Sequence, residues 1–174
     1  MSERAAPIWK DGAFRDDEWL AVGAEEALPG DGRAILVPLA RFLAEPGRCL
    51  QREAAVGVVV SPGEDVRPLA PHLGDLALVA LAFPKFSDGR NYSAARLLRE
   101  RYGYAGELRA VGEVLLDQIP LMRRCGIDSY AVAHAPTRRA LAAGHTAEVR
   151  HYYQPAGGAE VPAGTRPWAR LPAA

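Results

Sequence analysis

The sequence predicts an α/β fold: a mainly parallel sheet assembled from repeated βα units, as an open sheet or a partial TIM-like barrel, with a small N-terminal hairpin. Three observations carry that expectation. Short apolar runs recur along the chain and are continuous rather than alternating, as in strands buried on both faces. Segments with helical spacing separate these runs, which calls for right-handed crossovers and parallel pairing. Near the start, an Asp-Gly pair sits between two short apolar segments, the pattern of a two-residue hairpin turn. About five core strands are too few for a complete eight-stranded barrel.

Taken in order, residues 8–10 (Ile-Trp-Lys) and 13–15 (Ala-Phe-Arg) flank Asp11-Gly12 and make the hairpin. A polar stretch with Gly23, Pro29, Gly30 and Gly32 reads as loop. The first buried strand is 34–37, followed by a short helical pattern at 39–44. The second strand, 56–60, stops at Ser61-Pro62-Gly63. Residues 65–73 can hold a helical turn, weakened by Pro68 and Pro71. The third strand is 76–83. Residues 91–102 form the strongest helix: Asn91 can cap it, Arg96 and Glu100 are an i,i+4 pair, and Gly103 suits the position just past its end. Residues 107–111 are a further strand. Asp117 can cap a helix running through Arg124 and ended by Gly126, with Pro120 in the first turn, where proline is tolerated. A strand at 129–133, a helix at 137–143 ended by Gly144, and a last strand at 149–153 complete the reading. The whole chain, 1–174, is expected to be a single domain: hairpin and loop over 1–33, core over 34–153, and a flexible tail over 154–174, rich in Pro, Gly and Ala, unless Trp168 docks on something.

Composition narrows the function classes. Apolar residues make up 49% and charged residues 24%, as in a globular protein, and the formal net charge is +0. That balance argues against bulk binding to nucleic acid or an anionic membrane. No apolar run approaches the roughly 20 residues that span a bilayer. The first residues lack the plan of a signal peptide, so a cytoplasmic location is expected. Cys49 and Cys125 form no C-x-x-C and no zinc-like cluster, so no metal is expected. Cys125, beside Arg123 and Arg124, is either a reactive thiol or a small buried residue.

Ligands of parallel α/β sheets bind beyond the carboxyl ends of the strands. Three strand-to-helix loops should meet there: 83–90, 112–116 and 134–136. The first is the richest, with Phe83, Lys85, Phe86, Asp88, Gly89 and Arg90 leading into a helix. Lysine occurs only at Lys10 and Lys85. Lys85, Arg90 and the helix N-terminus can form an anion pocket, with Arg96 and Arg99 extending the positive surface. On the other side, Phe83 and Phe86 can be core anchors, and Asp88 a partner for Arg90. Arg109 lies inside a strand with Glu107 on the same face by period-two alternation. It either pairs with Glu107 or Asp117, or contacts a ligand. Asp117 reads as a helix cap or as an acid or base, and Gln118 follows it. His134 ends a strand and reads as a loop residue or a catalytic one. No nucleophile elbow, P-loop or dinucleotide fingerprint is present, and neither redox nor cluster-binding cysteines occur, so no cofactor is expected.

Residues 83–93 (Phe-Pro-Lys-Phe-Ser-Asp-Gly-Arg-Asn-Tyr-Ser), 106–112 (Gly-Glu-Leu-Arg-Ala-Val-Gly), Asp117-Gln118 and Arg124-Cys125-Gly126 together resemble the domain of unknown function 934 family. The resemblance is close over residues 55–132 and compatible in the hairpin and at Tyr152-Tyr153-Gln154. Asn91 stands where that family often has glycine, and Ile127 where it usually has phenylalanine. Members carry the description of an oxidoreductase of sulfite reduction and are usually encoded beside the haemoprotein subunit of assimilatory sulfite reductase. The resemblance therefore implies a pathway rather than a mechanism, because the redox cofactors of that chemistry reside in the haemoprotein. It implies an accessory protein that binds the sulfite reductase haemoprotein or a small anion; the loop residues themselves, not the family, supply Lys85, Asp88, Arg90, Arg109, Asp117 and Gln118 as the candidate ligand-binding set. A small enzyme acting on an anionic metabolite at the strand ends is the alternative. A third reading is a structural partner that docks through the tail around Trp168.

Overall fold

The computed structural model describes residues 6–147, together with the backbone of 160–163 and 166–172. The predicted hairpin is present: β1 (Ile8–Lys10) and β2 (Ala13–Arg15) pair antiparallel. Its turn residues have positive φ, 51° at Asp11 and 78° at Gly12, as a type I′ turn requires. β3 (Leu20–Ala21) follows, then β4 (Ile35–Pro38), α1 (Leu39–Ala44), α2 (Pro46–Leu50) and β5 (Val56–Val60). A 3-10 turn (Arg67–His72) precedes β6 (Leu78–Phe83). α3 (Arg90–Arg96) widens into a π-helical turn (Leu97–Arg101). β7 (Glu107–Gly112), α4 (Ile119–Arg124), β8 (Ser129–Ala131) and α5 (Ala135–Ala142) complete the alternation. In the stretch read as a tail, β9 (Glu160–Ala163) and β10 (Arg166–Pro172) pair antiparallel. The strand expected at 149–153 lies outside the described residues, as do the side-chain contacts of Trp168.

Eight strands form one sheet in the order β2-β1-β8-β7-β6-β5-β4-β3. β3 to β8 run parallel to their neighbours, and only β1 pairs antiparallel, with β8 and β2. This order forces the sheet to curl. β2 and β3 are opposite edges, yet only residues 16–19 join them. Seven interstrand gaps in a flat sheet would separate the edges by about 34 Å. The five steps from Arg15 to Leu20 reach at most about 18 Å. The sheet is therefore a half-barrel, and the four-residue strap crosses its concave side.

Period two then sorts the strand residues. The convex face carries Val58, Val60, Leu81, Phe83, Leu108 and Ala110, which bury against helix residues such as Leu98 and Met122. The concave face carries Leu36, Leu78 and Ala80, covered by Trp19 of the strap and flanked by Val59 and Val111. Each fully buried Val, Leu or Phe contributes about 1.5–3 kcal/mol, so the strand ends are a stiff platform for their loops.

Local details depart from the sequence reading in three places. Asn91 does not cap α3: the helix starts at Arg90, and the Asn91 amide turns inward to donate to the Val60 and Ala82 carbonyls, at 3.1 and 2.8 Å. Asp117 does not cap α4, which starts at Ile119 with Pro120 in its first turn, as tolerated. The short elements β3 and α2 fall in stretches with no periodicity of their own, because their order comes from pairing and packing.

Candidate functional site

At the carboxyl ends of β6 and β7 the chain makes two linked loops. Gly112 starts the second with φ 98°, and a Cβ there would lie 2.5 Å from the Phe83 carbonyl oxygen. Only glycine lets the chain turn this tightly, and the turn lets the Glu113 N–H donate to the same carbonyl. Glu113 then reaches back, and its carboxylate accepts from the Phe86 N–H. Gln118 closes the arrangement: its carboxamide accepts from the Leu115 N–H at 2.9 Å and donates at 3.5 Å to the Phe86 carbonyl. The Asp88 N–H donates to the Lys85 carbonyl, forming a tight turn below Phe86. The backbone of Phe86 is thus held on both sides while the residue stays 53% exposed. Leu121, one turn along α4 from Gln118, is 42% exposed.

The other predicted residues sort into three groups. Asp88 accepts from Arg90 in a two-pronged pair at 2.7 and 3.0 Å, and those bonds hold its carboxyl below the usual range. Arg90 also leans over Gly63 in the loop after β5. Lys85 and Asp117 are exposed on the rim, and Gln118 is buried. Arg109 is elsewhere. It is on the concave face, its side chain 5% exposed, three residues before the end of β7 and so about 10 Å below the rim. Its donors go to Glu107, Asp17 and Ser129. The three predicted cations thus share no partner: Arg109 holds Glu107 and Asp17, Arg90 holds Asp88, and Lys85 faces solvent. Arg99 is likewise committed, to the carbonyls of Gly106 and Gly126 and to Asp128, and Arg96 pairs with Glu100.

Residues not singled out in the sequence complete both places. On the rim, Tyr92 lies beside Gln118, Asp117 and Cys125, with its ring edge against Phe83. Burial pushes its hydroxyl pKa up, the charges of Cys125 and Asp117 add to that, and the hydrogen bond with Gln118 opposes it. On the concave face, Lys10 donates to Glu107 at 2.6 Å, and Asp17 accepts from Arg109 at 2.8 Å. Burial would raise the Glu107 carboxyl, but Lys10, Ser129 and Arg109 hold it down to about 2. His134 is the cap of α5, its ring nitrogen accepting from the Thr137 N–H. Cys125 is buried, which pushes its thiol up against the pull of Arg96 and Arg124. Among the described residues no His, Cys, Asp and Glu cluster could hold a metal, and no helix is long and apolar enough to cross a membrane.

The profile of a family described as bacterial protein of unknown function (DUF934) matches residues 57–164. The chain belongs to the DUF934 family. The stretch that defines DUF934 here runs from β5 onward and includes both rim loops, Glu107 and Arg109, whereas Lys10 and Asp17 precede it. No curated protein and no solved structure matches the chain.

Proposed function

We propose that this DUF934 protein is an accessory protein of assimilatory sulfite reduction that docks on the sulfite reductase haemoprotein through the rim centred on Phe86. The observation that carries the reading is a large aromatic ring held in solvent on an anchored backbone. Such a side chain offers apolar area at low ordering cost, as interface anchors do. Leu121 adds apolar surface, and Lys85 adds a positive charge suited to an acidic partner. The identity of the partner rests on the resemblance of residues 83–93 and 106–112 to a family encoded beside that haemoprotein. A small anion is the less favoured occupant of the rim, because Arg90 already holds Asp88 and Arg109 lies deeper on the concave face.

Titrating the purified haemoprotein subunit with this chain tests the proposal. Phe86→Ser should weaken binding by about tenfold or more. Lys85→Glu should weaken it more at low than at high salt. Absence of binding by the wild-type chain, or binding indifferent to both substitutions, refutes the reading.

One observation favours a second reading, a small enzyme acting on an anionic metabolite. Tyr92, Asp117 and Gln118 gather at the strand ends, with burial acting on the tyrosine, and Gln118 bonds the Phe86 carbonyl next in the chain to Lys85. In that case Asp117 or Lys85 serves as acid or base. Turnover of an anionic metabolite that is lost in Asp117→Asn, with haemoprotein binding absent, selects this reading over the first.

A further inference from the structure

The concave face holds a constellation that the rim does not use. Register places Lys10 opposite Ser129 and Ser129 opposite Arg109, so three neighbouring strands present one row of donors. Glu107 lies two residues before Arg109 on the same face and accepts from all three. Two cations and one carboxylate leave a net charge of +1 in this row, and the Arg109 side chain is only 5% exposed. A buried unpaired charge is costly, so the row requires an anion. In this structure Asp17 supplies it, which brings the balance to zero.

Asp17 differs from the other members in how it is held. Lys10, Glu107, Arg109 and Ser129 stand on paired strands, whereas Asp17 sits on the strap of residues 16–19. The strap ends in β3, a strand of two residues. Asp17 meets Arg109 through one oxygen on one terminal nitrogen, while Glu107 takes the Nε and the other terminal nitrogen. Toward the rim the same face carries Ala82, Val111 and Ala131, all half-buried, so only short side chains of these strands stand between Arg109 and the carboxyl ends.

We infer that Arg109, backed by Lys10 and Ser129, is a binding site for a compact oxyanion, a carboxylate or an inorganic oxyanion, and that the chain's own Asp17 occupies it as an intramolecular stand-in. An external oxyanion takes the Asp17 position on Arg109 and frees the strap. Because Asp17 competes at every moment, the wild-type chain binds weakly, in proportion to the fraction of time the strap is off. This inference does not rest on the rim as a docking surface.

The test uses the full chain with inorganic sulfate, inorganic phosphate and formate, each compared with chloride at equal ionic strength. Asp17→Asn keeps the shape and removes the charge. It should show a saturable rise in Tm with at least one oxyanion and not with chloride. The wild-type chain should need at least about tenfold more of the same ion. Adding Arg109→Lys to Asp17→Asn should abolish the response, since a lysine lacks the fork that grips an oxyanion. In the wild-type chain, amide exchange at Leu20 and Val22, which donate to Ala34 and Leu36, should quicken with the oxyanion as the strap lifts. This last readout does not depend on a variant folding. The inference is overturned if Asp17→Asn responds no more than the wild type, if its response survives Arg109→Lys, or if strap exchange is the same in oxyanion and chloride.

Discussion

Glu107→Gln probes the concave-face network directly. The carboxylate accepts four hydrogen bonds: Lys10 on one oxygen, and Ser129 with two Arg109 nitrogens on the other. Together they hold its pKa at about 2, against an ordinary value of 4.5, despite the opposing pull of burial. At about 1.36 kcal/mol per unit, the difference corresponds to about 3 kcal/mol of stability at neutral pH. The sign follows from linkage. A depressed carboxyl stabilises the fold fully above pH 4.5 and loses that contribution as pH falls toward 2. At pH 3 about 1.4 kcal/mol should remain, because the unfolded carboxyl is then mostly protonated and the folded one is not. Glutamine keeps the size but removes the carboxylate that Lys10 pairs with and leaves Arg109 with Asp17. Urea unfolding of both proteins from pH 7 down to pH 3 reads the difference. It should shrink by about half or more over that range. A difference that stays constant with pH, or one within about 0.5 kcal/mol at pH 7, refutes the account, because a surface ion pair would behave that way.

Three further outcomes are expected. Asn91→Ala removes the donor shared by the Val60 and Ala82 carbonyls at the ends of β5 and β6, and should cost about 1–3 kcal/mol in chemical denaturation. Gly112→Ala places a Cβ against the Phe83 carbonyl at φ 98°; a loss of about 2 kcal/mol or more is expected, and an unchanged Tm would contradict the tight turn described for the rim. Cys49 and Cys125 are both buried with thiol pKa values raised by burial, so a thiol reagent at pH 8 should label neither in the native protein and both in denaturant; rapid native labelling of Cys125 would revive its reading as a reactive thiol.

Much of the rim was legible from local signals. The loop 83–90, the turn at Gly112 and the Asp117-Gln118 pair all lie within a few residues of strand ends that the apolar runs locate. Alternation alone puts Glu107 and Arg109 on one face, since residues two apart on a strand share it, while leaving Glu107, Asp117 or a ligand open as the partner; the structure shows Glu107. What local signals did not carry was commitment. Arg90 and Arg109 each read as paired or ligand-binding and Arg99 as added positive surface, yet Arg99 is spent on Asp128 and Arg109 also on Asp17, partners that only the folded chain supplies.

The sequence by itself determined the alternation of strands and helices, the Asp-Gly hairpin, the family, and the residues of the rim loops, because each is encoded by periodicity, turn chemistry or a contiguous motif. Tertiary structure decided the rest. Asp17 and Arg109 stand 92 positions apart, and Lys10 and Glu107 stand 97 apart. No periodicity links residues so distant. Sheet order leaves only β8 between β1 and β7, which lets Lys10 reach Glu107, and the β2–β3 strap, too short to join the edges of a flat sheet, curls the sheet and carries Asp17 over Arg109.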